Sequence, residues 1–98
     1  MRTISLQSTV AAASDAVSCD LDAEAIILSV RTGTYYGLDA VGHRVWQLLQ
    51  QPRTVMALRD VVLTEFEVGA ERCERELLLL LEDLEHNQLV EVRDADAA

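Results

Sequence analysis

The stretch Ala25-Ile26-Ile27-Leu28-Ser29-Val30-Arg31-Thr32-Gly33-Thr34-Tyr35-Tyr36-Gly37-Leu38-Asp39 decides how this chain of 98 residues folds. Residues 25 to 30 are a short apolar, β-branched run that suits a strand; residues 31 to 34 make a turn; Tyr35 to Leu38 return as a second strand. Asp39 then stands where a side-chain carboxylate caps a helix. A hairpin feeding straight into an amphipathic helix predicts a small winged module. Modules of that shape bind things, and nothing in the stretch is arranged as an active site.

Outward from the hairpin, the helices are read by period. The first begins after Asp39 and puts Val41, Val45, Leu48 and Leu49 on one buried face. Trp46 sits beside that stripe, packed under the hairpin. Pro52 ends the helix, because it cannot continue one and biases Gln51 out of the helical region. Thr54 caps a second helix with Val55, Leu58, Val62 and Phe66 inward, ending near Gly69. These two short helices across a tight turn make a helix-turn-helix pair.

A third helix, Ala70 to about Asn87, opens with Glu71 and Glu74 where the helix dipole favours negative charge. Cys73, Leu77, Leu80, Leu81 and Leu84 share its inner face. Leu78 and Leu79 are left over, about 100° and 200° round from Leu77.

The flanks are less regular. Ile4 and Leu6 alternate with polar residues over Thr3 to Gln7, as in a short strand with one buried face. Ser8 to Ser14 is small, Ala-rich and aperiodic, a loop. Ala16 to Leu21 alternates Val17, Cys19 and Leu21 and reads as a second short strand or an extended lead-in, followed by an acidic turn at Asp20, Asp22 and Glu24. Leu89 to Val92 adds a brief extended piece, and Arg93 to Ala98 a frayed tail. The expected class is α+β: a winged helix-turn-helix domain over residues 1–92, its three-stranded antiparallel sheet (with a fourth, partial strand as the variant) followed by three α-helices.

Composition narrows the function. Eight basic residues, all Arg, against seventeen acidic ones give a net charge of −9. Nucleic-acid binding draws its affinity from cations on phosphates, so the charge argues strongly against a nucleic-acid partner despite the winged shape, and an anionic membrane is disfavoured for the same reason. No apolar run is long enough to span a bilayer and the N-terminus has no signal-like core, so the cytoplasm is the expected compartment. Cys19 and Cys73 are far apart and read as free thiols. His43 and His86 have no nucleophile beside them, and the cysteines and histidines lack the close pairing of zinc ligands, so no catalytic residue, metal or cofactor is expected. Gly33, Gly37, Gly42 and Gly69 lack the spacing of a phosphate cradle.

Leu28, Tyr36-x-Leu38-Asp39, Gly42 and Val45-Trp46-x-Leu48-Leu49, then Thr54-Val55, Leu58, Val61-Val62 and the Leu77 to Val90 segment, resemble the signature of the PqqD-like proteins, the recognition elements for ribosomally made, post-translationally modified peptides. The resemblance implies a non-catalytic protein that binds the leader region of a precursor peptide. A free-standing chain of this size is most similar to the recognition proteins of lasso-peptide clusters. Its implied partners are then a leader-cleaving cysteine protease and an ATP-dependent macrolactam cyclase. A PqqD-type chaperone serving a quinone-cofactor pathway is the alternative within the family. A winged-helix regulator or a structural dimerisation module lies outside it.

The family resemblance also implies how the leader is held: as an added strand in the groove between the third strand and the third helix. Carried onto this chain, that puts Thr34, Tyr35, Tyr36, Gly37 and Leu38 on the docking strand, with Leu78, Leu79, Glu82 and Glu85 as groove residues. Strand addition draws affinity from backbone hydrogen bonds and specificity from side-chain pockets. With Tyr36 and Leu38 on one sheet face, Tyr35 points the other way and is either a partner contact or an edge aromatic. For the two leucines, a homodimer through the same patch is the rival reading. The acidic surface is a solvated coat or steers a basic leader.

Overall fold

A computed structural model of the protein describes residues 4–22 and 24–93. Within them the chain forms β1 (Thr9–Ala12), β2 (Ala16–Leu21), β3 (Glu24–Ser29), β4 (Tyr35–Leu38), α1 (Ala40–Leu48), β5 (Arg53–Thr54), α2 (Val55–Glu65), α3 (Ala70–His86) and β6 (Val90–Arg93). The hairpin falls where the sequence puts it. Gly33 supplies the positive φ of 73° that its turn needs, and β3 pairs antiparallel with β4 from Ala25↔Leu38 to Leu28↔Tyr35. Both caps form as read: Asp39 Oδ1 accepts from the Gly42 amide at 2.9 Å, and Thr54 Oγ1 from the Ala57 amide at 3.2 Å.

Two expectations fail at the N-terminus. Thr3 lies outside the described residues, and the rest of the Thr3–Gln7 segment is not a strand: Ser5 and Ser8 close a turn on each other, the Ser8 amide donating to the Ser5 carbonyl at 3.1 Å. The strand is β1, inside the segment read as a loop. Its small residues carry no period, yet they fit a slot between β5 and β6, with Val10 fully buried. Ile4 is buried without belonging to a strand.

The single three-stranded sheet is likewise replaced by two, in the orders β5-β1-β6 and β2-β3-β4. β6, expected only as an extended piece, runs antiparallel to β1 with Ala12 opposite Val90 and Thr9 opposite Arg93. Gln88 makes the connection: it ends α3 in the left-handed region, and the Leu89 amide returns to the Leu84 carbonyl at 2.9 Å. The tail expectation keeps only residues 94–98, which lie outside the described residues.

The core lies between the helices and both sheets, built on Ile27, Leu38, Val45, Trp46, Leu49, Leu58, Leu81, Leu84 and Leu89. Trp46 is core, as read. Phe66 caps the end of α2 and is only partly buried, like Leu80. Ion pairs from Arg44 to Glu65 and from Arg59 to Glu74 tie α1 to α2 and α2 to α3.

Candidate functional site: a free strand edge facing a helix

β4 is an edge strand. The Ser29 amide donates to the Thr34 carbonyl at 2.9 Å, so in the ladder the backbone groups of Thr34, Tyr36 and Leu38 face β3. Those of Tyr35 and Gly37, alternating with them, face the open side. Side chains divide by the same alternation. Tyr36 and Leu38 point inward, Leu38 buried and Tyr36 partly so, while Tyr35 stands 71% exposed on the outer face.

From the inner face of β4 the Tyr36 side chain reaches α3. The main packing of α3 is on α2 and β6, and that of β4 is on β3 and α1. The Tyr36 hydroxyl links the two elements, donating to Asp83 Oδ2 at 3.2 Å. Burial, the nearby Asp83 charge and the hydrogen bond to it, and the Asp39 charge all raise the Tyr36 phenol above its ordinary range. Beside Asp39 an apolar cleft of about 190 Å3 opens between Gly42 of α1, Val62 of α2 and Cys73, Glu76 and Leu80 of α3. Burial also raises the Cys73 thiol. Space at Gly42 is tight, since a Cβ there would meet Leu38 Cδ2 at 3.0 Å.

The flank of α3 turned towards Tyr36 and this cleft is therefore marked by Glu76, Leu80 and Asp83. At about 100° per residue, Leu79 sits one turn before Asp83 on that side, and it is 58% exposed. Leu78 is about 160° round from Leu80, on the flank with Glu74, the partner of Arg59, and it is partly buried against the core. Glu85 shares the Leu78 flank, and Glu82 also turns from β4. Of the four helix residues singled out from the sequence, the structure brings Leu79 alone towards the strand. The wheel could have found Leu80 and Asp83 had the direction of β4 been known.

The outer face of this sheet is apolar. Val17, Leu28 and Tyr35 form one cross-strand row, and Cys19, Ile26 and Gly37 the next. Val17 is 52% exposed, and a shallow depression of about 330 Å3 opens between Leu21, Glu24, Ile26 and Gly37. At Gly37 a Cβ would meet nothing within 4 Å. Among the described residues no cluster of His, Cys, Asp and Glu is placed to hold a metal ion, and no helix is long and apolar enough to cross a membrane.

No curated protein matches the chain significantly. Two solved structures do share its fold. "TbiB1 in Complex with the TbiA(beta) Leader Peptide" is 36% identical, with a TM-score of 0.76 over 83% of this chain and 94% of that one. "Lasso peptide synthetase B1 complexed with the leader peptide" is 20% identical, with a TM-score of 0.71 over 84% of this chain and 96% of that one. The sequence pattern of the family described as coenzyme PQQ synthesis protein D (PqqD) matches residues 24–90, from the first residue of β3 to the first of β6, and the chain belongs to that family.

Proposed function

We propose that this protein binds the leader region of a ribosomally made precursor peptide, as a strand added to β4 beside α3, and delivers it to separate enzymes of lasso-peptide biosynthesis without performing bond chemistry itself. The observation that carries this reading is the free edge at Tyr35 and Gly37, in a fold shared with a 36% identical chain that is complexed with a leader peptide. On this reading Thr34 to Leu38 supply the docking strand, and Leu79, Leu80 and Asp83 the opposite wall. The cleft between Gly42 and Leu80 takes an apolar side chain of the leader.

A leader-cleaving cysteine protease and an ATP-dependent macrolactam cyclase are the enzymes proposed to receive the complex. Holding one end of the precursor makes their encounter with it effectively intramolecular. The outer row of Val17, Leu28 and Tyr35 offers them apolar surface beside the bound strand. A partner using that row would lose function with Val17→Asp while leader affinity stayed unchanged.

Titrating the full chain with the leader half and, separately, the core half of its cognate precursor tests the reading. Saturable micromolar or tighter binding, roughly −8 kcal/mol or better, is expected for the leader half alone. Equal binding of both halves, or a mass that rises with concentration and no leader affinity, would overturn it.

A further inference from the structure

The Tyr36–Asp83 hydrogen bond joins β4 to α3 at the proposed groove, between residues 47 positions apart in the chain. Tyr36 is fixed at its base, opposite Ile27 in the β3–β4 ladder, and its ring packs against the core. Asp83 is fixed by its place on the flank of α3, a helix held from behind by α2 and β6. A partly buried ring anchored at one end and hydrogen-bonded at the other is a spacer of definite length.

From this we infer that Tyr36 and Asp83 form a strut that sets the distance between the β4 edge and α3, holding the groove open to the width of one peptide strand before any peptide arrives. The inference rests on the leader-binding reading and adds to it a pair of positioning residues. An added strand lies about 4.8 Å from β4 and must fit its inward side chains against α3, so a few tenths of an ångström in that spacing decide whether backbone and side-chain contacts form together. A groove already at that spacing loses less freedom on binding, which raises affinity without a new contact. The strut contributes through position alone: its two ends bond to each other and not to the peptide.

The test uses the full chain and the TbiA(beta) leader peptide as probe. Tyr36→Phe keeps the ring and removes the donor; Asp83→Ala keeps the helix and removes the acceptor. Each is expected to speed peptide dissociation about 2- to 10-fold, the range of one hydrogen bond, with little change in thermal stability. The double variant should be no weaker than either single one, because both cut the same link. Additive losses would mean that each residue meets the peptide directly, and unchanged affinity in both singles would mean that the contact sets nothing; either result overturns the strut.

A second readout needs no peptide. In a Tyr35→Phe background, which leaves Tyr36 as the only tyrosine, Asp83→Asn should bring the phenol titration down towards the ordinary range, and Tyr36→Phe should speed amide exchange along β4 and the Asp83 turn of α3. An unchanged titration together with unchanged exchange would sink the strut even where leader binding is intact. Failure of the parent chain to bind any leader, with both free-state changes present, would instead sink the leader reading and leave the strut standing.

Discussion

The sheets β5-β1-β6 and β2-β3-β4 each have three strands, but the first is consumed by structure and the second is left partly unused. Val10, Val90 and Val92 of the first turn into the core, and its strands tie the start of α2, the N-terminal segment and the C-terminal end to one another. The second buries Ala25, Ile27, Ser29 and Leu38 on its inner face, while Val17, Ile26 and Tyr35 stay exposed on the outer one and the β4 edge stays open. An exposed apolar face and an open edge are costs that a free-standing domain avoids unless something covers them. On the proposed function, the difference separates a scaffold from a working surface within one small chain.

The largest test of that division is to damage each side in turn. Val10→Asp or Leu81→Asp puts a carboxylate where no partner exists and should unfold the domain, a loss of about 3–5 kcal/mol or more in denaturant melts. Val17→Asp, on the outer face of the other sheet, should stay within about 0.5 kcal/mol of the parent. Similar losses at Val10 and Val17 would break the comparison.

Along α3 the same contrast sharpens to adjacent residues. Leu78→Asp loses packing against the core and should cost about 1–3 kcal/mol of stability, whereas Leu79→Asp should leave the melt near that of the parent and weaken leader binding. Equal destabilisation by both would show that Leu79, too, belongs to the scaffold.

What the sequence made legible follows the same line. The hairpin, α1 and both side-chain caps were readable because each is specified locally: a β-branched run, a glycine turn, an Asp or Thr three residues before the amide it accepts from. β1 was not, since Thr9 to Ala12 has no period and half of it is alanine, which favours strands little, and its place in a sheet is set by pairing with β5 and with β6 some eighty positions away. Tyr35, Tyr36 and Leu38 could be assigned to sheet faces by alternation alone. Leu80 and Asp83 could not be assigned to the groove, because a helical wheel gives angles between residues but not the direction in which the neighbouring strand lies.

Two substitutions in β4 probe the working edge itself. Tyr35→Ala should reduce leader affinity by roughly 1–2 kcal/mol with no comparable loss of stability, as read from isothermal titration beside a thermal melt. Gly37→Val should be tolerated or slightly stabilising in the free protein, since a Cβ there meets nothing and valine favours strands. It should nonetheless weaken the complex, because a strand glycine leaves room for another backbone to approach closely. A Gly37→Val variant that binds as well as the parent would mean that the partner does not come near this edge.

The smallest expected effect lies in pH. The Tyr36 phenol is raised in the folded state by burial, then by the Asp83 charge and hydrogen bond, and by Asp39. A raised folded value means that the native state holds this proton more tightly than the unfolded chain, so the contribution to stability is complete below the ordinary tyrosine range near 10 and fades as pH climbs through the raised value. Ionisation would place a phenolate against Asp83 and replace an attraction with a repulsion across the groove. Melts of the parent and of Tyr36→Phe should therefore run parallel from neutral pH to about 9 and converge or cross above about 10, as the parent alone loses this contribution. The shift should be small, since the contact is exposed to solvent. Parallel curves through pH 11 would show that the Tyr36 proton is held no more tightly in the native state than in the unfolded chain, leaving α3 positioned by its packing on α2 and β6 alone.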